Sequence, residues 1–116
     1  MKKVSILITS FNAEKTIERS LKSSLNQDFI DYEIVVVDDG STDGSQKIIK
    51  KFKNKKIKKF LLKKNIGRTK ALNYGLNRCN SKYIAILDSD DTSTKNRLNK
   101  QYKFLEKNKN IDLVCS

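Results

Sequence analysis

Five of the chain's aspartates fall in two tight clusters, Asp38-Asp39 and Asp88-Ser89-Asp90-Asp91, and each cluster follows directly on an apolar run. An Asp-x-Asp at the end of a buried strand can hold a hard divalent cation through oxygen ligands while that cation bridges a diphosphate. Charge makes the cation necessary: a carboxylate facing a phosphate at about 4 Å, in an effective dielectric of about 20, is opposed by roughly 4 kcal/mol. Mg2+ or Mn2+ reverses that sign. The same residues have a plainer reading, because aspartates commonly satisfy backbone donors where a strand turns into a helix. Asp91 keeps the plainer reading as a turn or cap residue, whereas two clusters together argue for a metal-nucleotide site. Asp39 offers a different chemistry. A carboxylate only accepts hydrogen bonds, so beside a base it selects an imide or lactam N–H, as on uracil, thymine or guanine, over a cytosine edge. Its neighbour Asp38 can equally anchor the turn at Gly40.

The elements that must position these groups follow from the hydrophobic period. Val4 to Thr9 is a β-rich run, and Asn12 is placed to cap a helix from about Ala13 to Asn26, with Ile17, Leu21 and Leu25 on one face. Glu33 to Val37 is nearly continuous apolar, as in a strand covered on both faces. Ser41 or Thr42 then caps a helix carrying Ile48, Ile49 and Phe52, and Ile57 to Leu62 reads as a third strand. A helix opening near Gly67 sets Leu72, Leu76 and Cys79 on one side. Tyr83 to Leu87 is a fourth strand, about Thr94 to Asn108 a helix with Leu98, Tyr102 and Leu105 inward, and Ile111 to Val114 the start of a fifth strand. The alternation predicts an α/β fold with a doubly wound, mainly parallel sheet and right-handed crossovers. Ligands of such sheets sit outside the carboxyl ends of the strands. Thr9 to Asn12, Asp38 to Ser41 and Asp88 to Asp91 should therefore converge on one rim.

Composition removes several classes. At 116 residues with 37% hydrophobic side chains, the chain supports one modest core and not two. No apolar run approaches the roughly 18 to 20 residues of a membrane-spanning helix, and the start is too short for a signal peptide's apolar core, so a cytoplasmic location is expected. There is no His, which excludes Ser-His and Cys-His nucleophile systems and His-ligated metals. Cys79 and Cys115 lack metal-type spacing and read as small core thiols. Gly-x-Gly-x-x-Gly and Walker-type phosphate loops are absent. The net charge is +12, and ten lysines fall between Lys47 and Lys64. They read as solvated faces, or as a surface attracted to anionic lipid headgroups. Specific nucleic-acid binding is disfavoured, since the segment lacks interleaved aromatic platforms and Arg-rich base readers.

Four segments carry a family resemblance: VSILITSFN (4–12), DYEIVVVDDGSTDGS (31–45), NIGRTKALNYG (65–75) and YIAILDSDD (83–91). In order and spacing they resemble the N-terminal half of family 2 glycosyltransferases, inverting nucleotide-sugar enzymes with an A-type, Rossmann-like nucleotide-diphospho-sugar transferase fold. The resemblance implies that Thr9 and Phe11, with Asn12, line the base pocket and that Asp39 pairs with the base imide. It makes Asn65, Gly67, Arg68 and Lys70 the loop passing the nucleotide. It makes Asp90 the ligand of Mg2+ or Mn2+, with Asp88 on the ribose or as a second metal contact and Ser89 between them. Thr9 stands where the family often has Pro, and Leu72 where it often has Arg.

The expected activity is transfer of a sugar from a nucleotide-diphosphate sugar, a UDP-sugar foremost, to the hydroxyl of a glycan or lipid-linked acceptor, in bacterial cell-surface polysaccharide synthesis. Family members carry the acceptor site and catalytic carboxylate in a second half of comparable size. A chain of 116 residues is thus expected to be a truncated, donor-binding part, with Asp112 a poor substitute for the base because it sits in an apolar run. The fourth strand, flanked in the family by a strand of that second half, is expected to be an apolar edge open to self-association. The alternatives are a nucleotidyltransferase of similar fold, which would carry a Gly-rich, basic signature after the first strand, and a basic module binding nucleic acid or a membrane surface.

Overall fold

The computed structural model describes residues 1–111; Asp112, Cys115 and most of the expected fifth strand lie outside the described residues. The elements alternate as β1 (Lys2–Ser10), α1 (Ile17–Leu25), β2 (Tyr32–Asp38), α2 (Ser45–Lys51), β3 (Ile57–Leu61), α3 (Arg68–Leu76), β4 (Ser81–Asp88) and α4 (Arg97–Lys107). The strands form one sheet in the order β3-β2-β1-β4, and every pairing is parallel. No helix among the described residues is long and apolar enough to cross a membrane.

Alternation along the two central strands sorts side chains between two layers, as the period of two in a pleated strand requires. Ile6, Ile8, Ile34 and Val36 face one way and pack with Ile17 and Leu21 of α1, Ile49 of α2 and Leu98 of α4. Leu7, Val35 and Val37 face the other way, toward Ala71 of α3. The backbone of α3 lies so close to β1 that a Cβ on Gly75 would stand 2.4 Å from Leu7 Cδ1. Register aligns the strand ends: Ser10 is level with Asp38, Thr9 with Asp88 and Asp38 with Leu61. The predicted rim therefore exists, and β1 and β4 meet where the strand order reverses.

Two helix starts differ from expectation. α1 begins at Ile17, after a turn in which the Ala13 carbonyl accepts from the N–H groups of Thr16 and Ile17. Asn12 is not its cap. It adopts a left-handed φ of 49° and turns its side chain away, its Oδ1 accepting from the Thr42 N–H at 2.9 Å. α2 begins at Ser45, whose N–H donates to Asp43 Oδ1, because Ser41 is occupied with Asp38 and Thr42 with Asn12.

Candidate functional site

The rim holds an open cleft of ≈ 780 Å³ at the carboxyl ends of β1, β2 and β4. Thr9, Phe11 and Asn12 line it from the β1–α1 loop, Asp39, Asn65, Gly67 and Arg68 from the far side, and Asp88, Ser89 and Asp90 from the end of β4. Ten of the eleven residues singled out in the sequence thus meet in one place. Lys70 is the exception: it is exposed on α3 but does not line the cleft. Ser10, which lies in the rim segment Thr9 to Asn12 but has no role assigned, also lines it, as do Ala13, Thr16 and Ala71, which were not anticipated. Ser10 and Ala13 flank recognised positions, whereas Thr16 and Ala71 are brought in only by the turn before α1 and the close seating of α3.

The end of β2 is a hydrogen-bonded scaffold. Asp38 is fully buried; its carboxylate accepts from the Ser41 N–H (2.8 Å), Ser41 Oγ (2.7 Å) and Gln46 Nε2 (2.8 Å). Of the two readings open for Asp38, the structure selects the turn anchor. Asp39, 3% exposed, reaches across to the loop before α3. It accepts from Asn65 Nδ2 at 3.0 Å and from the N–H groups of Ile66 and Gly67 at 2.8 and 3.1 Å. A carboxylate has about four acceptor positions, so three bonds leave Asp39 room for one further donor from the cleft. Gly40 makes this packing feasible: its φ is +68°, and a Cβ there would stand 2.3 Å from the Lys64 carbonyl carbon. Asp43 is similarly embedded. Burial pushes its carboxyl up, but hydrogen bonds from the Ser45 hydroxyl and N–H and the Glu14 N–H outweigh this and leave it below its usual value.

The end of β4 is different in kind. Asp88, Asp90 and Asp91 are exposed, and one carboxylate oxygen from each lies within 4.8 Å of the others. The Asp91 N–H donates to the Asp88 carbonyl, which makes the turn expected of Asp91 while its side chain joins the acidic group. α1 supports this loop from beneath: Ser20 Oγ donates to the Asp88 carbonyl, Arg19 Nη2 to that of Asp90, and Ser23 Oγ accepts from the Ser93 N–H. Arg68 Nη2 donates to Asp88 Oδ1 at 2.7 Å, bridging the cleft from α3 to β4.

The donor set suits a hard divalent cation. Mg2+ or Mn2+ takes carboxylate oxygens from one or two residues and completes its shell with water and substrate phosphates, which requires exposed, adjacent carboxylates rather than a closed cage. Ser10 Oγ is buried in the cleft wall with no hydrogen-bond partner among the described residues. Beyond the Arg68–Asp88 bridge lies a second cleft of ≈ 750 Å³, to which Ile86, Asp91, Arg97 and Lys100 contribute.

A parallel 3-2-1-4 sheet with carboxylates at the strand-order reversal defines a doubly wound domain of the kind that binds nucleotides at that crevice. The chain belongs to glycosyl transferase family 2, whose model matches residues 5–116. It is 41% identical over 91% of its length to an uncharacterized glycosyltransferase of Rickettsia bellii and 37% identical over 97% to one of Methanocaldococcus jannaschii, covering 15% and 40% of those proteins. S. aureus TarS, solved in complex with UDP-GlcNAc, superimposes with a TM-score of 0.84 at 35% identity over 90% of this chain and 31% of that one. The chain thus spans less than half the length of these relatives.

Proposed function

We propose that this chain is the donor-binding part of an inverting glycosyltransferase that uses a nucleotide-diphosphate sugar, a UDP-sugar foremost. The observation that carries this reading is the convergence on one cleft of a buried acceptor, Asp39, and an exposed acidic group at Asp88 and Asp90. The complex of TarS with UDP-GlcNAc supports the choice of nucleotide.

On this reading Thr9, Phe11 and Asn12 receive the base, and the remaining acceptor position of Asp39 takes the imide N–H of uracil. Asn65 to Gly67, fixed by the same carboxylate, form the wall along which the nucleotide runs. Asp90, with Asp88, would hold Mg2+ or Mn2+. That cation supplies the positive charge that makes a diphosphate tolerable beside aspartates and a competent leaving group. Arg68, paired with Asp88, adds a second positive charge at the same edge. Transfer is direct displacement at the anomeric carbon, with the acceptor hydroxyl approaching from the side of the second cleft. Four of the described carboxylates have another task on this reading, Asp38 and Asp39 in the scaffold and Asp88 and Asp90 at the diphosphate, and we assign the base that deprotonates that hydroxyl to none of them. It belongs instead to the further polypeptide that the relatives' greater length implies for the intact enzyme. The acceptor is a glycan or lipid-linked sugar hydroxyl, the setting cytoplasmic synthesis of bacterial surface polysaccharide. The edge of β4, unpaired among the described residues, is open to a second copy of the chain, which light scattering at high concentration tests.

The deciding experiment is calorimetric titration of UDP, GDP and dTDP with and without Mn2+. Metal-dependent binding of UDP that Asp90→Ala abolishes is the expected result. Binding of no nucleotide, or binding indifferent to both metal and Asp90, would sink the reading.

A further inference from the structure

The positive charge of this chain is segregated. Between Gly44 and Leu87 lie fourteen Lys and Arg residues and no Asp or Glu, while the rest of the chain has eleven basic and thirteen acidic residues. A composition merely rich in lysine would spread the excess; here one contiguous stretch accounts for all of the +12. Its densest part forms α2, the turn after it and β3, the strand at one outer edge of the sheet. Lys47, Lys50 and Lys51 have the spacing that shares a helix face, and all three are exposed. Lys53 and Lys55 in the turn, Lys58 on β3 and Lys63 and Lys64 after it are exposed too. Among the described residues only Lys58 of this set is ion-paired, with Glu33 at 2.7 Å. At the opposite edge two of the lysines, Lys82 and Lys109, are paired, both with Glu106. At the lower end of the basic edge stands Ile30, 88% exposed, its carbonyl held by Lys56 Nζ at 2.7 Å.

We propose that the α2–β3 edge docks on an anionic lipid bilayer, its lysines facing the headgroup phosphates and Ile30 entering the interface beside them. Like charges left unpaired along one edge repel one another, and an anionic surface is the partner that relieves this. Lipid fits better than nucleic acid for two reasons. The exposed cations of this edge are all lysines, flexible point charges without the planar fork that reads a phosphate bidentately. The aromatic side chains among them, Tyr32, Phe52 and Phe60, are packed into the two cores, so they offer bases no stacking platform. The edge is continuous with the cleft, because Lys64 packs against Gly40 and the next residues, Asn65 to Gly67, are bound by Asp39. Docking there sets the rim beside the headgroups. The inference stands on the charge distribution and does not depend on the donor reading.

The test is co-sedimentation of the purified protein with vesicles of phosphatidylcholine alone or mixed with phosphatidylglycerol, at low and high salt. Binding is expected only to the mixed vesicles and should be lost at high salt. The variant K50Q/K51Q/K53Q/K55Q should bind about tenfold more weakly or worse, and K15Q/K95Q/K103Q/K107Q, with the same charge change elsewhere, no more than about twofold more weakly. The double variant K50Q/K53Q gives a smaller loss in the same direction and guards against misfolding of the quadruple one. Absence of vesicle binding, equal losses in the two quadruple variants, indifference to phosphatidylglycerol, or salt-sensitive binding of single-stranded RNA in place of vesicles would each overturn the proposal. UDP affinity, which neither quadruple variant should change, separates its failure from failure of the donor site.

Discussion

Two strand ends of this sheet carry aspartates, and they use them oppositely. At the end of β2, Asp38 and Asp39 are buried, and their carboxylates each accept three hydrogen bonds from the protein. At the end of β4, Asp88, Asp90 and Asp91 are exposed, with Arg68 the one side chain bonded to their carboxylates among the described residues. The strands explain the contrast. β2 lies inside the sheet with all seven residues buried, so a carboxylate there must be satisfied internally. β4 is an edge among the described strands, and its Ile84 and Ile86 stand 42% and 46% exposed, so its terminal acids keep water as a partner. The fold thus spends one acidic cluster on shape and leaves the other in water, where the proposed cation would bind.

Mutation should break that comparison at its strong end first. Asp39→Ala removes the acceptor for the Asn65 amide and for the Ile66 and Gly67 N–H groups. The expected loss is roughly 2–4 kcal/mol in a urea melt, with loss of nucleotide binding as the 65–67 loop detaches. Asp90→Ala should instead leave the melt within about 0.5 kcal/mol of the parent. Its metal-dependent UDP affinity should fall by roughly tenfold to a hundredfold, as when groups that hold a metal are lost. Equal destabilisation by the two substitutions would erase the distinction between scaffold and ligand acids.

The buried acid at the other end of β2 sharpens the point through pH. Glu33 is 4% exposed and is bonded by Ser5 Oγ, the Asn80 N–H and Lys58. Burial pushes its carboxyl up, but the bonds from Asn80, Lys58 and Ser5 prevail and hold it below its ordinary value of 4.5. A carboxyl depressed in the folded state contributes stability that is complete above the unfolded value and is lost as pH falls through the folded one. The melting temperature should therefore drop below about pH 4.5, and more steeply than in Glu33→Gln. Parallel acid curves for the two proteins would assign the acid sensitivity to other groups.

How much of this was legible in the sequence depends on range. The apolar runs at 4–9, 33–37 and 83–87 mark strands because the core selects them locally, and the acids that follow place the rim. The cleft residues Thr9, Phe11 and Asn12 are legible as a segment, but Asn12 reads as a helix cap because a side chain that bonds Thr42, thirty residues away, leaves no local trace. The same holds for Asp39 and its loop at a separation of 26 to 28 residues, and for Arg68 with Asp88 at twenty. The run at 83–87 marks a strand but not its place in the sheet; the family resemblance, not the run, anticipates the edge position that β4 holds among the described residues. Lys70 shows the limit of carrying a motif over by position, since two residues of helix, about 200° of rotation, place Arg68 on the cleft and Lys70 away from it.

Arg68 then tests whether the β4 acids are as free as they look. The pair is exposed on both sides, so its loss should cost stability no more than about 1 kcal/mol. Arg68→Ala should weaken UDP binding in the presence of Mn2+, yet bind Mn2+ alone a few-fold more tightly by electron paramagnetic resonance, because Asp88 loses a competing cation. Weaker binding of the metal alone would mean that Arg68 orients Asp88 toward it instead.

The smallest expected effect lies on β1, between the two ends. Ser10 Oγ is buried in the cleft wall, 2% of the residue exposed, with no partner for its hydroxyl. An unpaired buried hydroxyl costs desolvation and returns nothing to the fold, so Ser10→Ala should leave stability unchanged or raise it by a few tenths of a kcal/mol, about 1 at most. If the hydroxyl meets the bound nucleotide, the same substitution should weaken UDP binding by a few-fold, since a neutral hydrogen bond is worth about 1 kcal/mol. A gain in stability with a loss in affinity would mark Ser10 as a third kind of polar residue here, buried like Asp39 but reserved for ligand like Asp90. A loss of both would place it with the scaffold.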